Sequence, residues 1–210
     1  MKLQGEYIFD GPREEVWEII RDPEVLATAL PGTQSLEQVG ENEFEGTMHV
    51  RIGPVAGVFA GKIVVSDEVP PESCTLTVEG KGAPGFANGT GRVTLIEQGD
   101  DQTLLQYEGD MQVGGRLASV GQRLIDTASK SMIAQGLESL NNALKVRMLG
   151  EEEGITVEYV PPSEAEFAAA VAKDVAREML PQAQVVAIVL AVVAAIALLI
   201  FLLNRHEEKE

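Results

Sequence analysis

The sequence predicts an α+β domain, in which a curved antiparallel sheet lies around a long C-terminal helix, followed by a linker and a single transmembrane helix. Three patterns lead to this prediction. Between residues 33 and 113, apolar and polar residues alternate in segments separated by Gly, Pro, Asn and Asp. Residues 117–147 instead repeat their apolar positions with the period of a helix. Residues 185–203 are 19 consecutive apolar residues.

The chain is expected to begin with a short strand and two short helices. Residues 2–9 alternate as a strand does. Asp10 is placed to cap the first helix, and Pro12 fits its first turn. Asp22 with Pro23 begins the second helix, and the Pro31-Gly32 pair ends it.

Six further strands and one long helix complete the predicted domain. The short polar turns between the strands favour an antiparallel meander. The helix over 117–147 contains about 30 residues without proline, which corresponds to a length of about 45 Å. The strands are expected at residues 33–39, 43–52, 57–69, 73–81, 89–97 and 103–113.

The chain divides into four parts. Residues 1–147 are expected to form a ligand-binding domain, and residues 148–184 an acidic linker with a short amphipathic helix. Residues 185–203 are the predicted anchor, and residues 204–210 are a polar tail.

The helix predicted within the linker has a capping box and a narrow apolar stripe. Ser163 with Glu166 forms the capping box at its start. A stripe of this kind either packs on another part of the protein or lies along a membrane interface. The stripe consists of Phe167, Val171, Val175 and Met179.

The apolar run at 185–203 is long enough to cross a bilayer. As a helix it spans about 28 Å, close to the ~30 Å of the hydrocarbon core. Its position near the C-terminus, with no secretory signal at the N-terminus, is typical of a tail anchor. We therefore expect a single-pass anchor in the cell membrane with the main domain on the cytoplasmic side, although the flanking charges do not fix that orientation. A buried core helix is the alternative.

Net charge and cysteine content exclude several classes of protein. The 16 Lys and Arg residues against 33 Asp and Glu give a net charge of −17, which would repel nucleic acid. The linker is especially acidic, so electrostatic attraction to anionic lipid is not expected to hold the chain at a membrane. The single cysteine, Cys74, rules out a disulfide framework within the chain.

No catalytic or metal-binding constellation emerges from the sequence. Residues 80–85 (GKGAPG) match a dinucleotide-binding pattern, but the residues that follow predict a strand rather than the helix such a site needs. His49 lies in a predicted strand and His206 in the tail, so they are not placed to share a metal ion. We expect neither enzymatic activity nor a metal site.

Glycines recur in the predicted strands and predict an internal cavity. They permit strong curvature and leave space that side chains would otherwise fill. The alternative is that they serve sheet geometry alone. A cavity between a curved sheet and a long helix suits a hydrophobic ligand. The residues expected to line it are Leu30, Met48, Val50, Phe59, Gly61, Phe86, Met111, Val113, Leu117, Val120, Leu124, Ala128 and Met132.

The order of elements resembles the helix-grip fold of START-like domains, the SRPBCC superfamily. More specifically, residues 9–63 are similar to the G-subunit family of carbon monoxide dehydrogenase, and the similarity extends to the start of the long helix. The residues that carry it are Pro12, Val16, Trp17, Asp22-Pro23, Leu30-Pro31-Gly32, Gly46, Gly53-Pro54-Val55, Gly61-Lys62, Gly89-Thr90-Gly91 and Gly114-Gly115.

The resemblance implies an accessory role rather than catalysis. It implies a protein that recruits a molybdenum-containing carbon monoxide dehydrogenase, or a related hydroxylase, to the membrane and binds a respiratory quinone, menaquinone or ubiquinone, without a covalent cofactor. A ligand-free adaptor and a helix-grip cyclase or hydrolase remain the alternatives. The expected contacts to a quinone headgroup are Arg51, Ser119, Gln122 and Arg123.

Overall fold

The computed structural model describes residues 1–30, 32–99, 101–153, 160 and 163–179. One sheet and four helices make up this part of the chain, with a 3₁₀ turn at Arg116–Val120. The strands are β1 (Lys2–Phe9), β2 (Thr33–Gly40), β3 (Glu43–Ile52), β4 (Val55–Val69), β5 (Ser73–Gly82), β6 (Gly85–Glu97) and β7 (Thr103–Gly115). The helices are α1 (Arg13–Ile19), α2 (Pro23–Ala29), α3 (Gln122–Glu153) and α4 (Glu164–Met179).

The seven strands form a single antiparallel sheet in the order β1-β7-β6-β5-β4-β3-β2. Strands β2 to β7 follow one another as a meander. Strand β1 pairs with β7 and forms one edge of the sheet, and β2 forms the other edge. The predicted antiparallel meander and all six of its strands are therefore confirmed, with ends that differ by at most a few residues.

The starts of the two short helices differ from each other. The Asp22 side chain accepts hydrogen bonds from the backbone N–H groups of Glu24 and Val25, so this predicted cap is confirmed. The predicted cap at Asp10 is wrong, because α1 begins after Pro12 without a side-chain cap. The Asp10 carboxylate instead accepts a hydrogen bond from Lys145 on α3.

The long helix was predicted to start at residue 117 but starts at Gln122. Residues 116–120 form a 3₁₀ turn, and Gly121 follows with φ +95°, a backbone conformation that other residues rarely adopt. Helix α3 then runs without interruption to Glu153 across the inner face of the sheet.

The main core lies between the C-terminal half of α3, helices α1 and α2, and the sheet. Leu140 and Leu144 of α3 pack with Phe9, Ile19 and Leu105, all of which are nearly inaccessible to solvent. A second apolar cluster lies around the N-terminal half of α3. Space remains between these two clusters, and it forms the site described below.

Asn141 ties α3 to the first strand and helix. It is 5% exposed, its side-chain oxygen accepts from the Asp10 N–H at 2.9 Å, and its amide donates to the Asp10 carboxylate at 2.9 Å. Asn141→Ala leaves the Asp10 N–H without its partner and removes one hydrogen bond from the Asp10 carboxylate, which keeps Lys145, so we expect it to lower the free energy of unfolding by about 1–3 kcal/mol. Urea denaturation measures this, and Asn142→Ala, at an exposed position on the same helix, should change it by less than about 0.5 kcal/mol. Equal effects of the two substitutions would contradict this role.

The predicted anchor at 185–203 lies outside the described residues. Among the residues that are described, no helix is long and apolar enough to cross a membrane. Helix α4 of the linker is described, and its predicted capping box is confirmed: the Ser163 N–H donates to Glu166 at 2.9 Å, and the Glu166 N–H donates to the Ser163 hydroxyl at 3.3 Å.

Candidate functional site: an apolar cavity under the long helix

The space between the sheet and α3 is an apolar cavity with two adjoining lobes. The first has a volume of about 400 Å³ and the second about 340 Å³. Both volumes lie in the range of about 300–1,000 Å³ that is typical of small-molecule sites. The lobes share part of their lining, namely Leu3, Leu30, Leu36, Ile63, Val78, Met111 and Ile133.

The two lobes lie at different positions along the sheet. The first extends toward α1 and α2, where Ile20 and Leu26 line it. The second extends toward the turns β3–β4 and β5–β6 and the 3₁₀ turn, where Ile52 and Leu117 line it. We call this end of the sheet the mouth end, because the second lobe reaches it.

Glycines contribute to the walls of both lobes, as the sequence predicted. Gly46, Gly61 and Gly80 line the second lobe. In the first lobe, Gly91 and Gly109 face each other on neighbouring strands. A Cβ atom at Gly109 would lie 2.7 Å from the Thr90 carbonyl oxygen, so this glycine is also required by the close approach of the backbone.

Nine of the thirteen residues expected at the cavity do line it. Leu30 and Met111 line both lobes, and the others line the second lobe only. Contact of these side chains with a ligand stays a prediction. The residues of the second lobe are Met48, Val50, Phe59, Gly61, Val113, Leu117 and Met132.

The other four residues lie elsewhere, so their predicted placement was wrong. Phe86 lies on the outer face of β6, is 41% exposed and covers Gly114. The remaining three, Val120, Leu124 and Ala128, pack in the second apolar cluster, in which α4 takes part, and line neither lobe.

The four side chains proposed to contact a headgroup also line neither lobe. All four are exposed. The Ser119 hydroxyl donates to the Arg116 carbonyl at 2.6 Å, and the Gln122 amide donates to Asp126 at 2.7 Å. Arg123 donates to the Glu178 carbonyl of α4 at 3.0 Å, and Arg51 lies on β3.

Sequence reasoning missed most of the first lobe. Every second residue of β3, β4 and β5 faces the cavity. Extending the period-two pattern from Met48 along β3 and from Phe59 along β4 would therefore have identified many of the lining residues. Ile133 and Leu137 lie four residues apart on one face of α3, as the helical period predicts. The missed residues include Ile20, Leu26, Leu36, Phe44, Ile63, Val65, Cys74, Leu76, Val78, Leu105, Tyr107, Ile133, Leu137 and Leu140.

Few polar groups face this cavity. Thr33 lines the second lobe, and its hydroxyl is buried without a hydrogen-bond partner among the described residues. Arg21 lines the first lobe, where it forms an ion pair with Glu68 at 2.6 Å and donates to Asn42 at 3.1 Å. The cavity is therefore suited to a ligand that is mostly hydrocarbon and needs few polar contacts.

Cys74 lines the first lobe and is buried. Burial raises the pKa of its thiol above the ordinary value, and the nearby Glu68 carboxylate raises it further. The thiol is therefore protonated at neutral pH and acts as a small apolar group in the wall.

Helix α4 packs beside the cavity at the mouth end. Its stripe residues Phe167, Val171 and Val175 pack against Ile52 and Leu117 and the residues around them. On α3, the Ser131 hydroxyl donates to Asp174 at 2.7 Å, and Gln135 donates to the same carboxylate oxygen at 3.3 Å. Of the two positions the stripe allowed, packing on the domain is the one observed.

Histidine and clustered metal-ligand side chains do not line the cavity in the part of the chain that is described. His49 alternates with Met48 and Val50 along β3 and lines neither lobe. No group of three or more His, Cys, Asp or Glu side chains among the described residues is placed to hold a metal ion.

Comparisons with known proteins agree with this geometry. A conserved protein from Geobacillus kaustophilus is 32% identical, with a TM-score of 0.67 over 69% of this chain and 95% of that one. A START superfamily protein from Mycobacterium smegmatis (15% identity, TM-score 0.54) matches 69% of this chain and 97% of its own length. The Zhui aromatase/cyclase from a Streptomyces species (12%, 0.53) matches 70% of this chain and 95% of its own. The last two establish the START-like fold alone.

No curated protein sequence matches the chain. The family model for the carbon monoxide dehydrogenase G-subunit (CoxG), however, matches residues 5–145, which is nearly the whole of the sheet and its helices. The cavity, the START-like fold and this match lead to one conclusion: the chain belongs to the CoxG family, the G-subunit family of carbon monoxide dehydrogenase.

Proposed function

We propose that the chain binds a respiratory quinone, menaquinone or ubiquinone, in its cavity and holds a molybdenum-containing carbon monoxide dehydrogenase or a related hydroxylase at the membrane. The observation that carries the proposal is the two-lobed apolar cavity under α3. The chain acts as a binding protein and not as an enzyme. Its family, START-like fold and apolar lining support this role.

A quinone fits the chemistry of the cavity. The isoprenoid tail needs an apolar channel, and the shared lining of the two lobes provides one with side chains such as Leu36, Ile63 and Ile133. The headgroup carbonyl needs a hydrogen-bond donor, and the unpaired hydroxyl of Thr33 is the donor proposed here. Thr33 replaces the four exposed side chains first considered for this contact.

Membrane attachment is assigned to residues 185–203, whose length and composition match a transmembrane helix. The proposal places the main domain on the cytoplasmic side of the cell membrane. The partner enzyme is inferred from the family to which the chain belongs. Together, a lipid-soluble electron carrier, an anchor and a soluble dehydrogenase would form a short route for electrons into the membrane.

Thermal unfolding with added quinones tests the binding claim. A ligand that binds only the folded chain at 100 times its Kd stabilises it by about 2.7 kcal/mol, so menaquinone and ubiquinone analogues should raise Tm with concentration. An isoprenoid hydrocarbon of the same length, lacking the quinone carbonyls, should raise Tm less. Thr33→Val should reduce the quinone effect while leaving the hydrocarbon effect unchanged.

The outcomes separate the proposal from its rivals. No Tm shift with any quinone would contradict ligand binding and favour a ligand-free adaptor. Equal shifts with quinone and hydrocarbon, unaffected by Thr33→Val, would contradict headgroup recognition at this residue. Turnover of a polyketide-like substrate by the wild-type chain would favour a cyclase instead.

A further inference from the structure

The charges of the domain are separated along the sheet. Three stretches build the mouth end, residues 46–61, 80–91 and 111–125, and together they contain four Lys or Arg residues and no Asp or Glu. The rest of residues 1–150 contains 22 acidic and 8 basic residues. Together these three stretches carry a net charge of +4 within a chain of net charge −17, and α4, which packs on this end, adds Asp174 and Glu178 beside Lys173 and Arg177.

The three stretches are in contact with one another. The Leu117 N–H donates to the Pro84 carbonyl at 2.9 Å, which joins the 3₁₀ turn to the β5–β6 turn. A Cβ atom at Gly57 would lie 2.5 Å from the Pro84 ring, and one at Gly53 would lie 3.1 Å from Leu124. The three stretches thus form one continuous end of the domain.

Three of the four bases at this end are available to a partner. Arg51, Lys81 and Arg116 are exposed, and none of them takes part in a salt bridge within the described ranges. The fourth, Arg123, donates to the backbone of α4. We call Arg51, Lys81 and Arg116 the basic rim.

Exposed apolar side chains accompany the basic rim. Val58 is 44% exposed and Phe86 is 41% exposed. Phe86 pairs with Lys81 across the β5–β6 hairpin, and the neighbouring hairpin places Arg51 opposite Ala56, two residues before Val58. Basic groups beside an exposed aromatic ring are the combination that binds the interface of an anionic bilayer. The place where the chain leaves the domain, described next, favours the bilayer over an acidic protein surface.

The chain also leaves the domain at this end. Helix α4 runs antiparallel to α3, because Asp174 is bound near the middle of α3 and Glu178 near its start. The apolar run begins at residue 185, and five residues separate it from the end of α4 at Met179. Five residues span at most about 18 Å. With α4 docked, an anchor at 185–203 would therefore hold the mouth end close to the membrane.

From these observations we infer that the mouth end is a docking surface for an anionic lipid bilayer, bound through the basic rim and the side chains of Val58 and Phe86. The inference rests on the proposed function for the anchor and for the quinone. It adds an orientation: the domain faces the membrane with the second lobe, so that a hydrophobic ligand enters and leaves through the lipid interface. The overall negative charge concentrates at the opposite end, away from the lipid.

A fluorescent probe on the full-length chain in vesicles tests this orientation. The probe is attached through Ala83→Cys at the mouth end or, as the control, Glu41→Cys at the opposite end, both in a Cys74→Ala background that keeps this position of the wall apolar. Vesicles contain phosphatidylcholine alone or with phosphatidylglycerol, and lipids carrying a quencher report contact. We expect the probe at residue 83 to be quenched several-fold more in the phosphatidylglycerol vesicles, and the probe at residue 41 to be unaffected.

Two charge variants supply the matched comparison. Arg51→Gln, Lys81→Gln and Arg116→Gln together should reduce quenching at residue 83 about tenfold. Arg13→Gln, Lys145→Gln and Arg147→Gln change the net charge equally, lie at the opposite end of the domain, and should leave quenching unchanged.

Equal quenching of the two probes, or quenching independent of phosphatidylglycerol, would overturn the inference. Shielding of residue 83 by the hydroxylase in the absence of vesicles would place a protein on this surface instead. If residues 185–203 do not anchor the chain, the inference still requires two results in a flotation assay. The chain must float with vesicles only when they contain phosphatidylglycerol, and only when the basic rim is intact. The quinone-induced rise in Tm is measured separately. It shows whether quinone binding in the cavity fails, independently of whether the mouth end binds lipid.

Discussion

Replacing Val78 by tryptophan is expected to abolish quinone binding while leaving the domain folded. Val78 lines both lobes of the cavity, at the point where they adjoin. The larger ring occupies the space through which a long apolar ligand would pass from one lobe to the other. Because the cavity offers room, the indole is accommodated without the overpacking that a filled core would suffer. We expect the quinone-dependent rise in Tm to disappear.

The control for this experiment lies one residue away. Thr77 precedes Val78 on β5 and does not line the cavity, so Thr77→Trp should leave quinone binding unchanged. Ile133→Phe on α3 narrows the same junction from the opposite wall. It is a second cavity variant, so the test does not depend on the folding of Val78→Trp alone. Undiminished binding in both cavity variants, each with a normal unfolding transition, would show that a ligand binds elsewhere.

Replacing Val171 by aspartate is expected to release α4 from the domain. Val171 is 6% exposed and lies in the apolar cluster at the mouth end. Placing an unpaired polar or charged group there costs at least about 2 kcal/mol, which shifts the docking equilibrium roughly thirtyfold. Hydrogen exchange should therefore speed up at least about tenfold for the α4 amides and remain unchanged for the strands.

A second readout connects α4 with the cavity. Because α4 packs against Ile52, Leu117 and Met132 of the second lobe, its release should loosen this wall and accelerate the loss of bound quinone to empty vesicles. Ala172→Asp is the control, since Ala172 is exposed on the neighbouring position of the helix. Fast exchange in α4 of the wild-type chain, or identical behaviour of the two variants, would contradict a docked α4.

The strands and the space beneath α3 could be predicted from the sequence because both depend on local patterns. Alternation and turn residues mark the strands, and the glycines on neighbouring strands indicate where side chains are missing. Met48, Val50 and Phe59 were placed correctly at the cavity since they share one phase of that alternation.

The errors concern residues whose direction depends on contacts distant in sequence. Phe86 is the second residue of β6, just after the tight turn at Ala83-Pro84, and its phase on β6 directs the ring outward over Gly114. Val120 and Leu124 are apolar at helical spacing, but the 3₁₀ turn and the Gly121 break direct them toward α4. Periodicity alone shows that a face is apolar and does not show what covers it.

The basic rim at the mouth end could not be predicted from the sequence either. A net charge of −17 suggested that electrostatics would keep the chain away from anionic lipid. The basic residues Arg51, Lys81 and Arg116 are far apart along the chain, and the sheet register brings their three turns to the same end. The net charge alone therefore does not show how basic and acidic residues are distributed over the surface, and binding depends on that distribution.

Native mass spectrometry of the full-length chain tests the central claim most directly. The chain is released in a mild detergent from the membranes of a quinone-producing host, alongside Val78→Trp prepared identically. The account predicts a one-to-one complex whose added mass is that of the host's menaquinone or ubiquinone, and its absence from the variant. A chain that carries no added mass, or carries only phospholipid, would contradict the claim that the cavity holds a quinone.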